Sequence, residues 1–109
     1  MDCELCSDGE AMFGDENAFV RYDNNSLSKG HVLIVPRRHV ADFFEMTSAE
    51  KTSVLTLLDQ ARERISRECD PDGYNIGVNV GKAAGNHECM FMCILSHATR
   101  VMSPTQAAG

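Results

Sequence analysis

Residues 72–95 read DGYNIGVNVGKAAGNHECMFMCIL, and this stretch leaves the chain few folds to choose from. Tyr74, Ile76, Val78 and Val80 alternate with Asn75, Gly77, Asn79 and Gly81. That period of two predicts a strand with one buried face, because successive side chains of an extended backbone point to opposite sides. Gly81 and Gly85 then bracket Lys82, Ala83 and Ala84. Such spacing lets the backbone turn sharply or approach a ligand closely. Residues 89–95 are apolar throughout and have the length of a buried strand. Strand, glycine turn, strand is the expected layout, and the preceding residues read as its scaffold.

That scaffold supplies further strands and one helix. Residues 9–15 are glycine-rich and acidic and read as a turn, whereas residues 18–22 have the character of a short strand with Asp23 at its end. Beyond the polar Asn24, Asn25 and Ser26, the run HVLIVP at 31–36 reads as a central strand that Pro36 stops. Arg37, Arg38 and His39 follow as the one dense positive cluster. Thr47 and Glu50 have the spacing of a capping box, so a long helix is expected to begin there. Val54, Leu55, Leu58, Ala61 and Ile65 recur at helical spacing, with Arg62, Glu63, Arg64 and Arg67 opposite them. The turn signal of Asp70, Pro71, Asp72 and Gly73 ends the helix near Cys69.

A chain of 109 residues with 43% hydrophobic content builds one domain around a single core. Its formal charge of −6 argues against nonspecific binding to a nucleic acid backbone, which needs an excess of Lys and Arg. No apolar run approaches the roughly 20 residues that span a bilayer. The acidic start at residues 1–4 is unlike a signal peptide, so the expectation is a soluble, cytoplasmic protein without membrane partners. Five cysteines without an export signal point to thiols or metal rather than a disulfide framework. Cys3 and Cys6 form a CxxC pair that reads equally as half of a zinc site, a redox pair or two incidental thiols. A redox CxxC ordinarily opens a helix after a strand, and no strand precedes this one; a small thiol redox protein stays open as an alternative.

Together, CELC at 3–6, YDNNSLSKGHVLIVPRRHV at 22–40, one amphipathic helix and DGYNIGVNVGKAAG at 72–85 resemble the histidine triad family of nucleotide hydrolases and transferases. The resemblance covers residues 3–85. It implies an α+β fold: an antiparallel sheet of about five strands with one long helix packed on one face and the nucleotide on the other, commonly as a homodimer. It further implies that Asp23 accepts hydrogen bonds from ribose hydroxyls, that Asn79 lies beside the phosphates and that Gly85 belongs to the phosphate-side turn. The expected partner is a purine nucleotide such as AMP. Cys3, Cys6 and His39 match three zinc ligands of the metal-bearing members, whose fourth is the first triad histidine.

The departure from the family is as informative. After the AAG, members carry glutamine, serine or threonine, and then histidines at alternating strand positions. The middle histidine attacks the α-phosphorus and forms a nucleotidyl intermediate. Here Met90, Met92 and Ile94 stand at those positions, and neither His87 nor His97 is placed to substitute. Neither a thioether nor an alkyl group is a nucleophile of this kind, so the covalent step is expected to be lost. Zinc is left an incomplete site of three ligands. The three side chains are expected to line the ligand face as an apolar patch.

Codons suggest how this arose. Displacing the frame by one base after Gly85 turns the Met90–Phe91 and Met92–Cys93 junctions into valine codons. The Cys89–Met90, Phe91–Met92 and Cys93–Ile94 junctions become histidine codons when the third base is cytosine. The displaced reading GQSRMHVHVHLIPRY is what the family pattern asks for. Residues 86–109 are therefore read as an out-of-frame tail of a single domain, 1–109, from a nucleotide hydrolase that is catalytically impaired. The alternative is a noncatalytic nucleotide-binding or zinc-stabilised interaction module.

Overall fold

The computed structural model describes residues 9, 11–22, 31–81 and 89–97. The elements are β1 (Ala11–Gly14), β2 (Ala18–Tyr22), β3 (His31–Pro36), α1 (Ser48–Cys69), β4 (Gly73–Val78) and β5 (Met92–His97). All strand pairs are antiparallel, in the order β1-β2-β3-β5-β4. The expected α+β fold, a five-stranded sheet with one long helix, is the one observed.

Most of residues 9–15, expected to turn, instead form β1, which pairs with β2. The turn is confined to Asp15 and its neighbours. The Asp15 carboxylate accepts from the backbone N–H groups of Asn17 at 2.8 Å and Ala18 at 3.0 Å, which closes a tight hairpin. Gly14 lies so close to the returning strand that a Cβ there would sit 2.6 Å from the Ala18 carbonyl oxygen.

The helix begins as the capping box requires. Thr47 Oγ1 accepts from the Glu50 N–H at 3.1 Å and Glu50 Oε1 accepts from the Thr47 N–H at 2.9 Å. It ends where Asp70 takes the left-handed conformation (φ 49°) and donates its N–H to the Ser66 carbonyl. The inward stripe is Val54, Leu57, Ala61 and Ile65, in steps of three and four. Leu55 falls one position off that stripe and is 55% exposed, so its expected place on the buried face is corrected.

Helix α1 packs mainly on β2 and β3. On that side the core joins Val20, Val32 and Ile34 to the helix stripe. Strand β4 is an outer edge, and its expected buried face is only partial: Ile76 is 50% and Val80 37% exposed. Tyr74 is the anchor there, with its hydroxyl 2.6 Å from Ser66 Oγ.

The largest departure from expectation concerns β5. Met90, Met92 and Ile94 do not line the face away from the helix; they are 0%, 6% and 0% exposed and belong to the helix-side core. Phe91 and Cys93 instead pack on Phe19, Leu33 and Val35 on the opposite face. A period of two leaves a strand only two ways to face. The alternation could not choose between them, because Phe91, Cys93 and Leu95 are as apolar as the other set. The chain takes the seating that sinks two thioethers and an isoleucine between sheet and helix, where methionine adapts to irregular space.

Candidate functional site

The sheet face opposite α1 is organised in rows across the strands. Arg21 pairs with Leu33, Leu33 with Cys93, and Cys93 with Gly77, so these four positions share one row and one face. The next row runs from His31 through Leu95 to Asn75. Gly77 contributes no side chain, and a Cβ there would meet nothing within 4 Å. A shallow cleft of about 270 Å³ results, lined by Asn75, Gly77, Asn79, Phe91, Cys93 and Leu95, with Ile76 at its rim. Its walls mix amide groups from the β4 side with apolar side chains from residues 91–95. The His31 imidazole reaches Cys93 from the next row: Nε2 lies 2.9 Å from Cys93 Sγ. Arg21, 4% exposed on β2, places a cation in the cleft's row.

Of the residues singled out from sequence, Asn79 does line this cleft and is exposed. Asp23, Gly85, Cys3 and Cys6 lie outside the described residues. Met90, Met92 and Ile94 are in the core, as above, so the cleft receives Phe91, Cys93 and Leu95 in their place. Sequence reasoning missed His31 and Cys93. The signal for them was present in part: a histidine heads the HVLIVP strand, and Cys93 has the opposite parity to Met92. What was lacking was the parity of β5 itself.

The basic loop after β3 is fixed by Arg38, which donates from Nε to Glu50 Oε2 and from Nη2 to Glu50 Oε1, each at 2.9 Å, and from Nη2 to the Glu45 carbonyl at 3.2 Å. Arg37 Nε donates to the Asp15 carbonyl at 2.7 Å. His39, the candidate zinc ligand, is exposed between them and Val40. The Met90 N–H donates to the Val40 carbonyl at 2.8 Å, which brings the backbone of residue 90 beside the His39 loop. The Met90 side chain nonetheless turns into the core, so residue 90 offers no donor atom to a metal at His39. Among the described residues no cluster of three or more His, Cys, Asp or Glu side chains is positioned to hold an ion.

An antiparallel sheet that gives one face to a helix and the other to an amide-lined cleft defines the class: an α+β fold with its open side on the strands. The HIT domain family matches residues 6–88, and the chain belongs to that family. The match stops just ahead of Cys89 and so excludes β5. A HIT-like protein of Methanocaldococcus jannaschii is 33% identical over 76 residues, 70% of this chain and 58% of that protein. An AP-4-A phosphorylase of Mycobacterium tuberculosis is 32% identical over 56 residues, 51% of this chain and 29% of the enzyme. The chain thus spans less than two thirds of either relative. The crystal structure of a HIT family protein from Bacillus anthracis superposes with a TM-score of 0.80 at 24% identity, over 89% of this chain and 74% of that one, and carries the fold alone.

Proposed function

We propose that this chain is a nucleotide-binding HIT domain whose triad-dependent chemistry has been lost, because its last strand is translated from a displaced frame of a hydrolase or transferase gene. The observation that carries this reading is the composition of the cleft wall. Residues 91–95 present Phe91, Cys93 and Leu95 there, where the family pattern calls for alternating histidines. The end of the family match at residue 88 supports the same break point.

The ligand in this reading is a purine nucleotide such as AMP. The name of the AP-4-A phosphorylase supports a nucleotide, and the exposed Asn79 amide at the cleft is suited to donate to phosphate oxygens. Asp23 would hold the ribose and Gly85 the phosphate-side turn. Zinc, where bound, would be held by Cys3, Cys6 and His39 with a fourth position left to water, and would serve to stabilise the fold. The assembly in this reading is a cytoplasmic homodimer.

A noncatalytic binding module, in which loss of the triad was selected, is the second reading. The full burial of Met90 and Ile94 favours it, since the altered strand completes a core rather than hanging from it.

Calorimetric titration with AMP, together with turnover of an adenosine phosphoramidate, tests both. Saturable AMP binding without turnover is expected for this chain. Reinserting one base at the Gly85 codon is expected to raise turnover by orders of magnitude. Gene codons that cannot carry cytosine as the third base at Cys89, Phe91 and Cys93 sink the displaced frame and leave the selected module.

A further inference from the structure

We infer that Cys93 and His31 form a nucleophilic thiol site that takes small, soft carbon electrophiles of the α,β-unsaturated carbonyl class through the cleft over Gly77. The inference stands on the geometry of this chain and does not depend on the nucleotide reading. His31 Nε2 and Cys93 Sγ are 2.9 Å apart, close enough for the thiol proton to pass to the imidazole. Cys93 is half-buried and faces the cleft, and the glycine paired with it leaves the approach to Sγ open. The other described thiols lack one feature or the other. Cys89 is 1% exposed, and Cys69 sits at the end of α1 with its side chain against the helix-side core.

Among the described residues, the titratable side chain in contact with the Cys93 sulfur is His31, and the others on its face are set further away. His31 and Arg21 are on β3 and β2 of the same face, and His97 shares the parity of Cys93 further along β5. Strand β4 contributes no ionisable side chain to that face, and α1 packs on the other. A proton acceptor held against the sulfur, as the His31 ring is, favours the thiolate, whereas Arg21 lies two strands away across Leu33 and is not counted on.

The step balances without a further reagent. The imidazole accepts the thiol proton, and the sulfur lone pair forms a bond to the β-carbon of the alkene. The π pair moves to the α-carbon, which takes the proton back from the imidazolium. The product is a thioether on Cys93, with the carbonyl compound reduced in unsaturation only by the addition itself.

Substoichiometric N-ethylmaleimide at pH 6.5, followed by peptide mass mapping of the intact chain, tests the site. Cys93 is expected to be labelled roughly fivefold faster than Cys69, the balance of a larger thiolate fraction against the lower nucleophilicity of a more acidic thiol. The pH–rate profile of Cys93 is expected to have a lower midpoint than that of Cys69, and His31→Gln to bring the two together. Gly77→Leu, which fills open space over the sulfur, is expected to slow labelling severalfold without moving the midpoint. Labelling of Cys93 no faster than Cys69, an ordinary midpoint, or profiles unchanged by His31→Gln would overturn the dyad; labelling indifferent to Gly77→Leu would overturn the cleft as its route. If His31→Gln fails to fold, the order and pH dependence of labelling in the unaltered chain decide alone.

Discussion

Arg38 and Glu50 meet through two parallel hydrogen bonds of 2.9 Å, and the same Glu50 carboxylate also caps α1 by accepting the Thr47 N–H. One side chain therefore fixes both the start of the helix and the basic loop that carries His39. The Glu50 side chain is 8% exposed and that of Arg38 54%, so solvent screens the cation while the carboxylate depends on its partners.

Glu50→Ala is accordingly expected to lower stability by about 1–3 kcal/mol, because it removes half of the capping box and the loop's anchor together. Arg38→Ala should cost less, about 1 kcal/mol, since Thr47 still serves the carboxylate. Urea denaturation of the two variants measures both. The pH dependence has a definite sign. The Arg38 hydrogen bond, opposed by burial and assisted by the Thr47 backbone bond, holds the Glu50 carboxyl below its ordinary 4.5. A carboxylate lowered in the folded state contributes its full stability above about pH 4.5 and loses it as pH falls through the folded value. The stability gap between the wild-type chain and Glu50→Gln should therefore narrow on acidification below that point.

The seating of β5 makes a prediction that its sequence alone does not. Met90 and Ile94 are 0% exposed in the helix-side core. Met90→Ala and Ile94→Ala should each cost about 2–5 kcal/mol, through lost burial and the cavity left behind. On the cleft side, the same truncations would cost less than about 1 kcal/mol. Urea midpoints near the wild-type value for both variants would contradict the observed facing of the strand.

The strands His31–Pro36 and Ala18–Tyr22, and the helix with its cap at Thr47, were legible in the sequence because each carries its own local signal: a β-branched run, a capping box, a helical stripe. Family resemblance supplied the arrangement of the sheet and helix. The hidden features depend on tertiary choice. Residues 11–14 read as a turn because Gly9, Gly14 and Asp15 outweigh three apolar residues until β2 is there to pair with them. Leu55 and Leu57 are the same residue type two positions apart, and only the direction of the sheet tells which is inside. The cleft turned on the parity of β5, where both faces are apolar, and a shift of one residue exchanges Met92 for Cys93.

The turn between β1 and β2 is capped by the carboxylate of Asp15. Burial works to raise the pKa of Asp15, but the N–H groups of Asn17 and Ala18, helped by Ser53 and Arg37, outweigh it and hold the carboxyl below its ordinary 3.8. Asp15→Ala should cost about 1 kcal/mol by removing those bonds. Asp15→Asn retains an acceptor oxygen without the charge and should recover part of the loss. Since the folded carboxyl is the more acidic, its contribution is present above about pH 3.8 and fades as pH falls below that value. Thermal melts of both variants at neutral pH, repeated in acid, check the ranking and its disappearance.

Two glycines in the sheet should respond oppositely to the same methyl group. At Gly14 an added Cβ meets the Ala18 carbonyl oxygen at 2.6 Å and the Phe19 Cα at 2.8 Å. These are backbone atoms, so relief requires β1 to move away from β2, and Gly14→Ala is expected to cost about 1–3 kcal/mol. At Gly77 the methyl meets nothing within 4 Å and the backbone needs no left-handed conformation. Gly77→Ala removes only the flexibility of the unfolded chain and should raise stability by about 0.4–1 kcal/mol. Urea midpoints moving in opposite directions confirm both. A loss at Gly77 like that at Gly14 would mean that the ground above Cys93 is already occupied, and the cleft with it.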